Sequence, residues 1–159
     1  MSERGLREEC DEIWTLNDWY HLIPQIPTPD KVFNIHADLA PTNDPRRYVG
    51  DPIAEYNRSG AEIITMHRDA RLTRNRVFDP SAWIDNRHDG FFSSSFAYMF
   101  LMAWQERVER IVMRGVKLCR GGEYRTQTPA VLSAIYESEQ RGITVDAPHR
   151  AEWDADTRP

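Results

Sequence analysis

Two short patterns carry the residue types that acid–base or metal chemistry uses. His36 and Asp38, and again His67 and Asp69, set an imidazole two residues before a carboxylate. Such pairs can hold a divalent metal or act as general acid and base. The plain alternative is a loop in which both side chains hydrogen-bond to backbone and cap the following element. His67-Arg68-Asp69 also copies the letters of a kinase catalytic loop. The chain has no glycine-rich loop or Asp-Phe-Gly to accompany it, so that reading is set aside. Other polar groups suit ligand binding rather than proton transfer. Ser93, Ser94 and Ser95 open a long apolar segment. Free N–H groups at such a helix start attract phosphate or carboxylate, and a simple N-cap uses the same serines. Asn17 and Asp18 are followed by Trp19 and Tyr20, while Glu123, Tyr124 and Gln127 follow Gly121-Gly122. A tyrosine there can stack on a ring with Glu123 and Gln127 bonding its edge, or can pack on a sheet.

These residues fall where strands should end. Glu12–Leu16, Lys31–Ile35 and Ala61–Met66 read as short strands, with Arg76–Phe78 a weaker fourth. Helices are expected over Glu3–Cys10, over Pro52–Arg58 closed by Gly60, and from Ser94 or Ser95 to about Arg107. The last is apolar on nearly every side and should be central and buried, with Trp14, Trp83 and Trp104 also assigned mainly to the core. A strand around Ile111–Met113 follows. A helix with Thr128 as N-cap and Pro129 at its first position is then expected to run to Arg141, ending at Gly142. Ile143–Val145 is the last short strand. Alternation of strands and helices predicts an α/β domain, a Rossmann-like three-layer sandwich with a mostly parallel sheet. It should occupy 1–148 as a single domain, with a polar tail over 149–159 extended along the surface. If all the strands share one sheet, the polar clusters line one rim. Ligands of such sheets bind where the strand order reverses.

Composition narrows the classes. The 159 residues suffice for one domain with a real core, and five tryptophans and six tyrosines argue against disorder. A net charge of −5 with scattered basic residues gives no footprint for duplex nucleic acid. The apolar run Phe96–Trp104 is too short for a bilayer, and the first residues lack the apolar stretch of a secretory signal. Cys10 and Cys119 suggest neither a disulfide framework nor a zinc site. A cytoplasmic protein is expected, with no membrane partner. No nucleophile elbow, phosphate loop or dinucleotide fingerprint is present.

Several stretches together resemble one family. Asp11-Glu12-Ile13-Trp14-Thr15-Leu16-Asn17, Ser94-Ser95 before the apolar helix, Arg114-Gly115-Val116, Glu123-Tyr124 with Gln127, and Arg141-Gly142-Ile143-Thr144-Val145 carry the likeness. They are similar to elements of the 6-hydroxymethylpterin pyrophosphokinase-like proteins, relatives of motility-associated glycosyltransferases, in their small phage-encoded form. The likeness runs in element order over about Asp11 to Pro148. The resemblance implies a Rossmann-like fold, without the family's usual first strand and glycine-rich turn, and a nucleotide-type ligand. The family tends to carry an acid where this chain has Lys117.

Three functions follow as expectations. The first is a phosphoryl or glycosyl transferase on a nucleotide-like or phosphorylated small molecule. His36, Asp38, His67 and Asp69 would supply acid–base or metal function, and Asn17, Asp18, Ser93, Ser94, Ser95, Glu123, Tyr124 and Gln127 would bind ligand. The second is a non-catalytic binder that sequesters a nucleotide-derived signal on the same rim. The third is a structural or interaction protein with a degenerate site. No cofactor is named by the sequence, a divalent metal being one reading of the His and Asp pairs. A strand edge left open by the missing first strand favours a homodimer.

Overall fold

Short runs of β-branched and aromatic residues build the first sheet. Val32, Phe33, Ile63 and Ile64 are buried on both of its faces, as the strands of a parallel sheet require. The computed structural model describes residues 3–17, 28–35, 51–81, 94–116, 118 and 124–157. The chain divides into two compact units, Met1–Asp79 and Pro80–Pro159.

The first unit opens with α1 (Glu3–Glu9) and holds β1 (Trp14–Leu16), β2 (Lys31–Phe33), α2 (Pro52–Ser59), β3 (Glu62–Thr65) and β4 (Asn75–Val77). The strands form one parallel sheet in the order β1-β2-β3-β4, with Thr15 opposite Val32 and Val32 opposite Ile63. Helix α2 has strong ends. The Asp51 side chain caps the Ile53 N–H at 3.0 Å, Pro52 presets the first turn, and Gly60 closes it at φ 71. Its inward residues Ile53 and Tyr56 join Val32, Ala61, Ile63 and Leu72 in one apolar cluster. At the amino ends of the strands, Lys31 is buried, its ammonium bonded to Glu12 and lying over the Trp14 ring. Burial works against ionised Glu12, yet hydrogen bonds from Lys31 and Trp14 outweigh it and hold the carboxyl below its ordinary pKa.

Residues 66–74 link β3 to its parallel neighbour β4, fewer than the dozen or so such a crossover usually takes. Side chains brace this short link alongside the backbone pairing of β3 with β4. Asn75 accepts from the Asp69 N–H at 2.8 Å while donating to the Ile63 carbonyl and to Thr65 Oγ1. Asn57 accepts from the Thr73 N–H and hydroxyl, and donates to the Arg71 carbonyl.

The second unit contains α3 (Ser95–Glu106), β5 (Arg110–Val112), α4 (Tyr124–Gln140), β6 (Thr144–Asp146) and α5 (Arg150–Thr157). β5 and β6 pair in parallel as a separate two-stranded sheet. Helix α3 is the buried helix expected, with Ala97 and the run Phe100 to Trp104 in the core. The Trp104 indole N–H donates to Ser138 Oγ at 2.8 Å. That hydroxyl donates in turn to the Ala134 carbonyl at 2.7 Å, so both buried polar groups are satisfied.

The chain is therefore mixed α/β and Rossmann-like, built on a four-stranded parallel sheet with helices. Three expectations need correction. Helix α4 starts at Tyr124, so Thr128 is not its N-cap and Pro129 lies inside it. Pro129 forfeits only the bond to the carbonyl four residues back. The buried stripe Thr128, Val131, Ile135 and Ser138 rewards a continuous helix. Within the tail expected to be extended, Arg150–Thr157 form the helix α5. It is anchored by Trp153, 2% exposed, and by the Arg150–Glu139 ion pair to α4. Finally, the described strands do not all share one sheet, because β5 pairs with β6 in a sheet separate from β1–β4.

Candidate functional site

The carboxyl ends of β1, β2 and β3 form one rim, and Asn17 after β1, Asn34 after β2 and His67 after β3 stand at it. Strand order runs in one direction among the described residues. The rim therefore has no reversal of order, and its chemistry must come from the side chains themselves.

Asn17 extends the β1 ladder by donating its N–H to the Phe33 carbonyl at 2.9 Å, and Asn34 extends β2 by donating to Ile64 at 2.9 Å. The two asparagines thus follow adjacent strands in register. Asn17 then turns into the left-handed region, φ 40, a conformation asparagine tolerates better than other side-chain-bearing residues. Tyr56 of α2 joins them. Its hydroxyl accepts from Asn34 Nδ2 at 2.7 Å and donates to the Asn17 carbonyl at 3.2 Å. With the Asn34 amide nitrogen on the tyrosine oxygen, the amide oxygen is turned away from Tyr56. Asn34 is 5% exposed, and its Oδ1 has no hydrogen-bond partner; Asn17 Oδ1 and Thr15 Oγ1 are likewise buried and unpaired. A buried acceptor left unmade costs about 1–3 kcal/mol. Among the described residues these three, one on β1 and two just past the ends of β1 and β2, are the buried side-chain atoms without a hydrogen-bond partner.

The expected catalytic residues fare differently. His67 is exposed on the rim, its carbonyl accepting from Thr65 Oγ1 at 2.7 Å. The Asp69 carboxylate is bound by Arg71, through the guanidinium and the backbone N–H. These hydrogen bonds hold Asp69 below the usual carboxylate range, so it stays ionised and is a poor proton donor at neutral pH. His36 and Asp38 lie outside the described residues, as do Asp18, Ser93 and Glu123. Among the described residues no three His, Cys, Asp or Glu side chains are grouped as a metal would need.

The rest belongs to the second unit. Ser94 is the N-cap of α3, buried, its Oγ accepting from the Phe96 N–H at 3.2 Å; Ser95 is the first helical residue and half-buried. Tyr124 supplies the first residue of α4, and Gln127 is half-buried one turn on. Asp146 sits beside β5, salt-bridged to Arg114 at 2.6 Å and to Arg110 at 3.6 Å. The Arg114 bond chiefly, with some opposition from burial, holds its carboxyl below the ordinary value. No helix among the described residues is long and apolar enough to cross a membrane.

Sequence reading missed Asn34, Tyr56 and Thr15. A signal existed: Asn34 follows Val32-Phe33 directly, where an amide on a buried strand demands partners, and Tyr56 repeats Ile53 at helical spacing. Comparison of the chain with family models, with curated proteins and with solved structures finds no match.

Proposed function

We propose that the protein binds a nucleotide-type small molecule at the carboxyl-end rim of its four-stranded sheet. The observation that supports this reading is the Asn34–Tyr56–Asn17 chain with its unpaired buried amide oxygens. Buried polar groups are ordinarily satisfied, and a binding site is a common reason for an exception. Asparagine carbonyls and a tyrosine hydroxyl at strand ends suit the many hydroxyl, amine and ring-nitrogen groups of a nucleotide.

Binding without turnover is the form the described residues favour, because Asp69 is committed to Arg71. A phosphoryl or glycosyl transferase is the second reading. It draws on His67, whose imidazole is exposed on the same rim.

The test is a thermal-shift screen against nucleotides, nucleotide sugars and pterins, each with and without Mg²⁺ or Mn²⁺. A ligand at a hundred times its dissociation constant stabilises by about 2.7 kcal/mol, or several degrees for a chain of this size. A hit supports binding, and turnover that is abolished in His67→Ala supports the transferase. A flat screen refutes both and leaves a structural or interaction role.

A further inference from the structure

We propose that the arginine cluster around the β3–β4 link is a contact surface for a single strand of nucleic acid, held through its phosphate backbone. The proposal goes beyond the nucleotide reading above and does not depend on it. Charge is unevenly spread over Met1–Asp79. Five of its ten basic residues, Arg58, Arg68, Arg71, Arg74 and Arg76, fall between 58 and 76, with two of its fourteen acidic ones, Glu62 and Asp69. The fold gathers the five. Arg58 stands in the last turn of α2, and Arg74 donates to the Gly60 carbonyl just past that turn. Asn57 donates to the Arg71 carbonyl at 2.9 Å, while Arg76 faces Glu62 at 3.8 Å. Arg58, Arg68, Arg71 and Arg74 are exposed, and Arg76 is half-buried. Arg58 is braced by Glu55 at 2.6 Å and Arg71 by Asp69 at 2.6 Å, which holds these guanidiniums in place before a partner arrives. Cations at a helix carboxyl end also favour the helix dipole, and that accounts for Arg58 and Arg74. It does not account for Arg68, which has no hydrogen bond or ion pair among the described residues. Guanidinium forks match phosphate oxygens well. Asp51 and Glu55 on α2 and Asp79 after β4 border the basic strip. A stiff duplex lays phosphates across a broad face and over such carboxylates, whereas a flexible single strand can follow a narrow strip. A lipid surface fits less well, because Leu72 of the link is buried in the core and cannot insert. An acidic peptide would only exchange its carboxylates for those of Glu55, Glu62 and Asp69. No aromatic residue of this unit is exposed among the described residues, so binding is electrostatic and indifferent to base.

The experiment is fluorescence anisotropy of the whole chain with a labelled oligothymidylate of about 16 nucleotides, enough for one single-strand site, between about 50 and 200 mM salt. Each phosphate neutralised adds about 0.7 to the steepness of log K against log salt. Contact by about three to five of the arginines gives a slope of about −2 to −3.5, a loss of about 20- to 100-fold over that range. Arg58→Gln and Arg68→Gln should each make the slope shallower by about 0.7. Both side chains are exposed, so both variants should fold, with urea midpoints close to wild type. Arg107→Gln makes the same charge change at an exposed arginine of the second unit and should leave the slope as it is. Absence of binding at about 50 mM salt overturns the proposal. An equal effect of Arg107→Gln also overturns it, since binding would then follow net charge alone. A duplex of the same length, polyglutamate, or phosphatidylserine-rich vesicles bound as tightly as the single strand would overturn it too, and would name the class of partner instead.

Discussion

Replacing Asn17 by glycine should stabilise the unliganded protein, although most substitutions at partly buried positions destabilise. Three effects set the sign. Asn17 Oδ1 is buried without a partner, and deleting it removes a desolvation cost of about 1–3 kcal/mol. The backbone at φ 40 is mildly strained for a side-chain-bearing residue, and glycine relieves about 1 kcal/mol. Against these, glycine widens the unfolded ensemble at a cost of about 0.4–1 kcal/mol. The two bonds that hold the residue in place, its N–H to Phe33 and its carbonyl from Tyr56, are backbone groups and survive the change. The balance favours Asn17→Gly by about 1–3.5 kcal/mol, or roughly 2–14 °C in Tm for a chain of this length. Urea denaturation followed by tryptophan fluorescence reads the difference as a shift of midpoint at constant slope. Asn17→Ala is the control, since alanine removes the same oxygen but keeps the strain, and should fall about 1 kcal/mol below the glycine variant. If Asn17→Gly is instead less stable than wild type by more than about 1 kcal/mol, the amide oxygen is satisfied in solution and the site loses its basis.

Other outcomes follow from the same contacts. Tyr56→Phe removes the hydroxyl that links Asn34 to Asn17, strands the Asn34 amide, and should cost about 1–3 kcal/mol in urea denaturation. Trp153→Ala empties the buried anchor of α5 and should cost about 3–5 kcal/mol, with proteolysis reporting release of the segment after residue 149. Asp69 titrates below its unfolded value, so its pairing with Arg71 contributes above the ordinary aspartate pKa and is lost as pH falls through the lower folded one. Stability therefore rises with pH over that acid range. Asp69→Asn should flatten this limb modestly, because Arg71 is more than half exposed and water screens the pair.

How much of this was legible depended on where the information resides. The strands at Trp14, Lys31 and Glu62 and the helices at Pro52 and Ser95 were readable because local signals agree there: Asp51, Pro52 and Gly60 punctuate α2, and Ser94 caps α3. β4 was faint since Asn75, Arg76 and Val77 have no apolar alternation, and their place is set by the backbone ladder to β3 with side-chain bonds from Asn75 added to it. α5 was missed for a related reason. Its composition is polar, and a single tryptophan, docked through tertiary contact, stabilises what propensity alone would not. The start of α4 was misplaced because proline at helix position one is the commoner arrangement, whereas here burial on both sides of Pro129 outweighs one lost bond.

The site was half legible, and the missing half changes its chemistry. Attention to His67 and Asp69 rested on residue type, which favours groups that titrate. Asp69 proved to be a loop clasp whose proton affinity Arg71 has lowered, and Ser94 a cap whose hydroxyl is already used. What the fold leaves unpaired are neutral acceptors on Asn17 and Asn34, and the need for partners there arises only when strand register sets them side by side against Tyr56. A neutral amide does not exchange a proton near neutral pH; its contribution is a hydrogen bond defined by direction and distance. On the binding reading proposed above, recognition at this rim would come before any reaction that His67 could add.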